Sequence, residues 1–228
     1  MPRTGLDPSI VDLLESAVHG LKGPASRLRL SSQLLTRNGE ALDEDTRTLL
    51  KHMEDSAAEV GVVAEGLSKY AQLCARPLER EPVDLGLLAA AAIDNLRGEI
   101  ANAGATVTHS TLPSAHADGF LITWLFQELL ANAIRFRSGS APEVHISAGA
   151  GGPANWYVAV SDNGPGIEPG LAQRVFLPFK KLSRAGGAGL GLTICRIIIE
   201  RHGGGLWIEP RDCGAEFRFF VGGADEGR

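Results

Sequence analysis

The chain has 228 residues, 44% hydrophobic and 21% charged, an ordinary globular composition with room for one large or two small domains. Its net charge of −5 and pI near 5.7 supply no basic face for a phosphate backbone, so nucleic acid is not an expected partner. Three widely spaced cysteines, Cys74, Cys195 and Cys213, make no metal-type pair. No stretch approaches the roughly 18 to 20 apolar residues of a membrane helix, and the opening MPRTGLDPS lacks a signal-peptide core, so free thiols and a cytoplasmic setting are expected.

From about Pro8 to Arg37 the residues Ile10, Leu14, Ala17, Leu21, Ala25 and Leu28 recur at spacings of three and four, which predicts one buried face of a long amphipathic helix. Asn38 and Gly39 end it, Asp43 is a candidate N-cap, and Leu49, Met53, Ala57, Val60, Ala64, Leu67 and Ala71 continue the period to about Ala75. A lone hairpin of two such helices buries too little surface, so a homodimer forming a four-helix bundle is expected. RPLEREP, residues 76 to 82, reads as an interdomain linker. Beyond it the pattern predicts a helix over 85–103, a strand over 106–109 and a helix over 119–136. Strands follow over 144–148 and 156–161, joined by GAGGPAN, and over 206–209 and 216–221. Together these predict an antiparallel or mixed sheet with helices layered on one face.

Three segments carry chemistry. In VSDNGPGI, residues 160 to 167, a strand ends at Asp162 and continues with Gly164 and Gly166. The carboxylate can accept a hydrogen bond from an adenine amino group, and the glycines let backbone pass close to a base, although Asp-Asn-Gly is also common turn chemistry. In GGAGLGLTICRIIIERHGG, residues 186 to 204, Gly187, Gly189 and Gly191 precede a strongly apolar helix. Such a helix start favours a triphosphate through exposed N–H groups and the helix dipole; a plain flexible loop is the alternative. In FQELLANAIRFR, residues 126 to 137, Glu128, Asn132 and Arg135 share one side of an otherwise apolar helix. An Asn oxygen there can serve phosphate-bound Mg²⁺ and an Arg can contact phosphate oxygens.

With VFLPFKK, residues 175 to 181, these segments resemble in type and order the N, G1, F and G2 boxes of sensor histidine kinases, phytochrome-type kinases among them, over nearly the whole chain from Asp12 to Val221. The resemblance implies an α+β chain in two domains: an antiparallel helical hairpin over 1–78, and over 79–228 an α/β sandwich ATP-binding domain of the gyrase, heat-shock, histidine-kinase and mismatch-repair type. It implies ATP and Mg²⁺, with nucleotide contacts from Glu128, Asn132, Arg135, Asp162, Gly164, Gly166, Phe179, Lys180, Gly187, Gly189, Leu190 and Gly191. Asn132 and Glu128 would face the metal, and Phe176 and Phe179 would brace the lid. It also implies an autophosphorylated histidine that passes its phosphoryl group to an aspartate on a response-regulator receiver domain in two-component signalling.

The phosphoacceptor segment is HGLKGPASRL. His19, Lys22 and Pro24 match the family's pattern, but Gly20 stands where an acidic residue normally follows the histidine. That carboxylate ordinarily orients the Nδ1 proton so that Nε2 can attack. Glu15, one turn earlier on the polar stripe with Asp12, Lys22 and Ser26, is the expected partial substitute. The segment between Phe179 and Gly187 makes a short lid, with Lys180, Lys181 and Arg184 as electrostatic compensation. Glu128 replaces an Asn common in histidine kinases, and in ATPases of the wider superfamily a Glu there activates water. Beside the kinase reading stand two others: a weakly active or non-catalytic phosphotransfer scaffold, and an ATPase or serine kinase on the same fold.

Overall fold

The computed structural model describes residues 8–38, 43–137, 139–151, 156–180 and 188–222; in the first helix the side chains of 8–17, 19 and 36–38 lie outside the description. The chain divides into two compact units, Met1–Arg76 and Pro77–Arg228.

The first unit is a hairpin of α1 (Pro8–Asn38) and α2 (Glu44–Ala75). Asp43 caps α2, its Oδ1 accepting the Thr46 N–H at 2.7 Å, which satisfies one of the orphan donors of a helix start. The helices meet along Val18, Ala25 and Ser32 of α1 and Leu50, Ala57, Ala64 and Ala71 of α2, all buried and spaced by seven. Mostly small side chains on this seam permit close approach, and the Ser32 hydroxyl donates to the Leu50 carbonyl at 2.9 Å. The predicted single buried face is divided: Leu21, Leu28, Leu49, Met53 and Val60 are exposed in the hairpin. The apolar arc is wider than one partner helix can cover, so the alanines close the hairpin and the larger side chains face outward.

The second unit opens with β1 (Glu81–Asp84), which pairs antiparallel with β3 (Ser114–Ala117) in a small two-stranded sheet. The predicted linker through Pro82 therefore ends inside a strand, and Pro82 is tolerated because a two-stranded sheet is all edge. The predicted helix 85–103 is two, α3 (Leu85–Asn95) and α4 (Arg97–Ala103), interrupted at Leu96 with φ −99° and ψ 10°. The main sheet has the order β2 (Thr106–His109), β4 (Glu143–Ala150), β5 (Trp156–Asp162), β7 (Glu216–Phe220), β6 (Gly205–Glu209). Only β2 and β4 are parallel, so the sheet is mixed.

The helices α5 (Gly119–Arg135) and α6 (Gly191–Arg201) pack against one another. Strand alternation turns Val144, Ile146, Val158, Val160, Phe217 and Phe219 inward, all buried. Leu121, Ile122, Leu125, Phe126, Leu129 and Leu130 of α5 are buried too, and Phe126 meets Phe219 edge to face at 5.7 Å. Each such side chain contributes about 1.5–3 kcal/mol by leaving water. This packing holds α5 rigid, and α5 carries the candidate site.

Candidate functional site

The polar side of α5 is built around Glu128. The Trp124 indole N–H donates to its Oε1 at 3.1 Å one turn earlier. The start of α6 comes against the same side: a Cβ on Gly191 would lie 2.8 Å from Glu128 Oε2 and 3.7 Å from Asn132 Nδ2. Asn132 Nδ2 is buried and has no hydrogen-bond partner among the described residues. A buried amide left so costs about 1–3 kcal/mol and is a mark of a group waiting for a ligand. Arg135 is exposed in the last turn of α5.

Asp162 ends β5. Its Oδ1 accepts the Gly164 N–H at 2.8 Å and the Ala215 N–H at 3.0 Å, so one carboxylate oxygen shapes two turns. Burial pushes its pKa up, against the opposing pull of those two N–H groups and of Arg211. A Cβ on Gly164 would lie 2.6 Å from the Phe136 carbonyl oxygen, which brings this turn against the end of α5. Gly166 has φ +76° and abuts the Gly214 carbonyl, and Gly214 (φ +73°) lies so close to the Asp162 carbonyl that no Cβ fits.

Phe176 is buried and packs edge to face with Phe217 at 6.5 Å, and its carbonyl accepts the Thr193 hydroxyl at 3.1 Å. Phe179 is exposed with φ 59°, a strained value for an aromatic residue, and its N–H donates to the Gly189 carbonyl at 2.9 Å. Gly189, at φ +70°, lies close to the backbone of Phe179 and Lys180. Leu190 is buried and precedes α6, and Lys180 is exposed. Gly187, with Lys181 and Arg184, lies outside the described residues.

The structure thus brings Glu128 and Asn132 together with Gly191, and Asp162 together with Gly164, Gly214 and Ala215, at successive points along α5. Trp124, Gly214 and Ala215 were not singled out by sequence reasoning. Trp124 is marked only by its spacing of four from Glu128 on the same helix, and Gly214 only by the cysteine-glycine turn before the last strand; Ala215 acts through its backbone and leaves no mark in residue type. Among the described residues no group of three or more His, Cys, Asp or Glu is placed to hold a metal unaided. Asn132 and Glu128 offer hard oxygen ligands that suit a magnesium ion sharing its coordination with phosphate.

In α1 the backbone at His19, Gly20 and Pro24 is helical, while the side chains of His19 and Glu15 lie outside the described ones. Pro24 has no N–H to give to the carbonyl of Gly20, four residues back, so the helix is weakened just beyond His19. Cys74, Cys195 and Cys213 are free thiols, and among the described residues no helix is long and apolar enough to cross a membrane.

A mixed sheet with an asparagine-bearing helix and glycine turns at strand and helix ends is the layout of the histidine-kinase-type ATPase fold. Residues 117–223 match the family described as histidine kinase-, DNA gyrase B-, and HSP90-like ATPases. Over nearly its whole length the chain is similar to histidine kinase catalytic cores. It is 34% identical over 219 residues to cyanobacterial phytochrome A of Nostoc sp., an alignment covering 93% of this chain and 28% of the phytochrome. The fold is shared with full-length ShkA in complex with AMPPNP (TM-score 0.64, 24% identity, 93% of this chain and 47% of ShkA). It is shared also with the histidine kinase ThkA in complex with the response regulator protein TrrA (TM-score 0.65, 23% identity, 95% of this chain and 63% of that one). The chain spans less than a third of the length of the phytochrome relatives it matches.

Proposed function

We propose that the chain is the phosphotransfer core of a cytoplasmic two-component kinase, which binds ATP in its second unit, phosphorylates His19 and hands the phosphoryl group to a receiver aspartate. The observation that carries the reading is the buried, unpartnered Asn132 amide beside Gly191 at the start of α6. An α-helix start offers N–H groups and a positive dipole end to phosphate oxygens, and Asp162, whose turn lies against the end of α5, would accept from an adenine amino group. Glu128, held by Trp124, and Asn132 would hold the magnesium ion, which supplies charge neutralisation on the phosphates when bound. The AMPPNP bound to ShkA and the response regulator bound to ThkA support ligands of the same classes here.

In the transfer, His19 Nε2 attacks the γ-phosphorus, the bond to the β–γ bridging oxygen breaks and ADP leaves with that electron pair. The imidazole must be neutral to attack, and its Nδ1 proton needs an acceptor. Gly20 provides none, and Glu15 is the substitute by helical spacing. The outward apolar face of Leu21, Leu28, Leu49, Met53 and Val60 supports a homodimer through the hairpin.

Incubation with γ-labelled ATP and Mg²⁺ tests the proposal. The expected product is an acid-labile, base-stable phosphoprotein that is absent from His19→Gln, slowed in Glu15→Gln and accelerated in Gly20→Glu. Gly20 favours a second reading, a weakly catalytic scaffold, and nucleotide binding without any label in the unaltered chain would decide for it.

A further inference from the structure

The helices α5 and α6 run antiparallel and are tied at both ends. At one end Gly191 abuts Glu128 and Asn132. At the other lies His202, which is fully buried, its Nε2 3.0 Å from the Asp118 backbone N–H and its Nδ1 2.7 Å from the Ile198 carbonyl. An amide N–H only donates and a carbonyl only accepts, so these partners assign the tautomer: Nδ1 carries the proton and Nε2 offers its lone pair. The ring is therefore neutral.

Asp118, also buried, caps α5 through Oδ1 on the Leu121 N–H and accepts the Glu79 N–H through Oδ2. Arg80 donates to the carbonyls of His202 at 3.2 Å, Gly222 at 2.5 Å and His116 at 3.1 Å. The residues by which the chain enters the second unit are thus fastened to the start of α5 and the end of α6.

We propose that His202 is a positioning residue for nucleotide binding: as a neutral acceptor it fixes how α5 lies against α6, and its protonation in mild acid loosens the site at the far end of the pair. This rests on the nucleotide-binding reading of Asn132 and the α6 start. Roughly 20 Å of helix separate Asp118 from Asn132, so a tilt of about 3° at the pinned end shifts Asn132 by about 1 Å, enough to cost binding geometry. Protonating Nε2 sets two N–H donors face to face. The charged groups facing the ring are Arg80 from the entry segment, Asp118 from α5 and Arg201 from α6. Burial lowers the His202 pKa; the Ile198 carbonyl and Asp118 oppose that shift, while Arg80 and Arg201 add to it. With the folded value below the unfolded one, the pin is fully effective above the ordinary histidine range and is lost as pH falls further, through the lowered folded value.

The test is titration calorimetry of the whole chain with AMPPNP and Mg²⁺ between about pH 8 and about pH 5.5, for the unaltered protein and for His202→Gln. Glutamine keeps an acceptor oxygen within reach of the Asp118 N–H and has no proton to gain. The nucleotide's own phosphate titrates in this range, so the difference between the two proteins is the readout. The expected result is near-equal affinity at the alkaline end and an affinity loss about tenfold larger in the unaltered protein at the acid end. Parallel profiles overturn the role of His202. Absence of binding by the unaltered protein at about pH 8 overturns the nucleotide reading first, and the inference with it. If His202→Gln does not fold, nitrogen NMR of the His202 ring in the unaltered protein replaces it. Ring protonation coincident with loss of affinity supports the pin, and a ring that stays neutral while affinity falls overturns it.

Discussion

The two backbone N–H groups accepted by Asp162 Oδ1 would be accepted equally by an asparagine Oδ1. The charge is therefore not needed for the turn, and burial works against it. Because the folded pKa is raised, the stability tied to this group is greatest below the ordinary carboxylate range and is lost as pH rises through the folded value. Asp162→Asn should then melt higher than the unaltered chain at neutral pH, with the gap closing near about pH 4, while its affinity for adenine nucleotides falls at least about tenfold, the scale of about 1.4 kcal/mol. Gly164 is the reverse case, a residue the fold cannot exchange. Alanine there meets the Phe136 carbonyl and the Asp162 carboxylate, and a loss of about 1–3 kcal/mol in melting experiments is expected. Gly98 on the exposed side of α4 has nothing within 4 Å of a Cβ, and Gly98→Ala should gain about 0.5–1 kcal/mol.

Elements that bury a periodic face were legible in the sequence, and elements made by backbone pairing alone were not. The helix α5 and the strands β4, β5 and β7 carry apolar residues at helical or alternating spacing, and they fall within a few residues of their predicted ranges. The strands β1 and β3 have four residues each, with Pro82 in one and a mostly polar pattern, so pairing of Glu81 with Ala117 leaves no periodic trace. The interruption between α3 and α4 is hidden for another reason. Ile93, Leu96 and Ile100 keep an unbroken helical period across it, while the Leu96 N–H is shared between the Ala92 and Ile93 carbonyls. At the site, residue types with their own chemistry (Asp162, Asn132, the glycines) could be picked out. His202 and Asp118 could not, because their meaning lies in contacts between residues 84 positions apart.

For the molecule as a whole, the hairpin's apolar arc is its least satisfied feature. Leu49 is 63% exposed and Met53 45% exposed on a helix whose opposite seam is closed by alanines. Replacing both with aspartate leaves the seam of Leu50, Ala57, Ala64 and Ala71 untouched and places charge on the outward face. Light scattering coupled to gel filtration should show a dimer for the unaltered chain and a monomer for Leu49→Asp with Met53→Asp. A dimer that survives both changes would remove the hairpin face as its interface.

One side chain on α6 turns this architecture into its own stopwatch. Cys213 is exposed and Cys74 half-buried, but Cys195 is sealed between α6 and α5, where burial and then the Glu128 charge push its thiol pKa well up. A thiol-reactive dye will reach it only in the moments when the two helices part. Ligand that bridges their tips should lengthen those waits for Cys195 while leaving Cys213 as quick as before, so the slowest phase of the colour change records how often the two helices part.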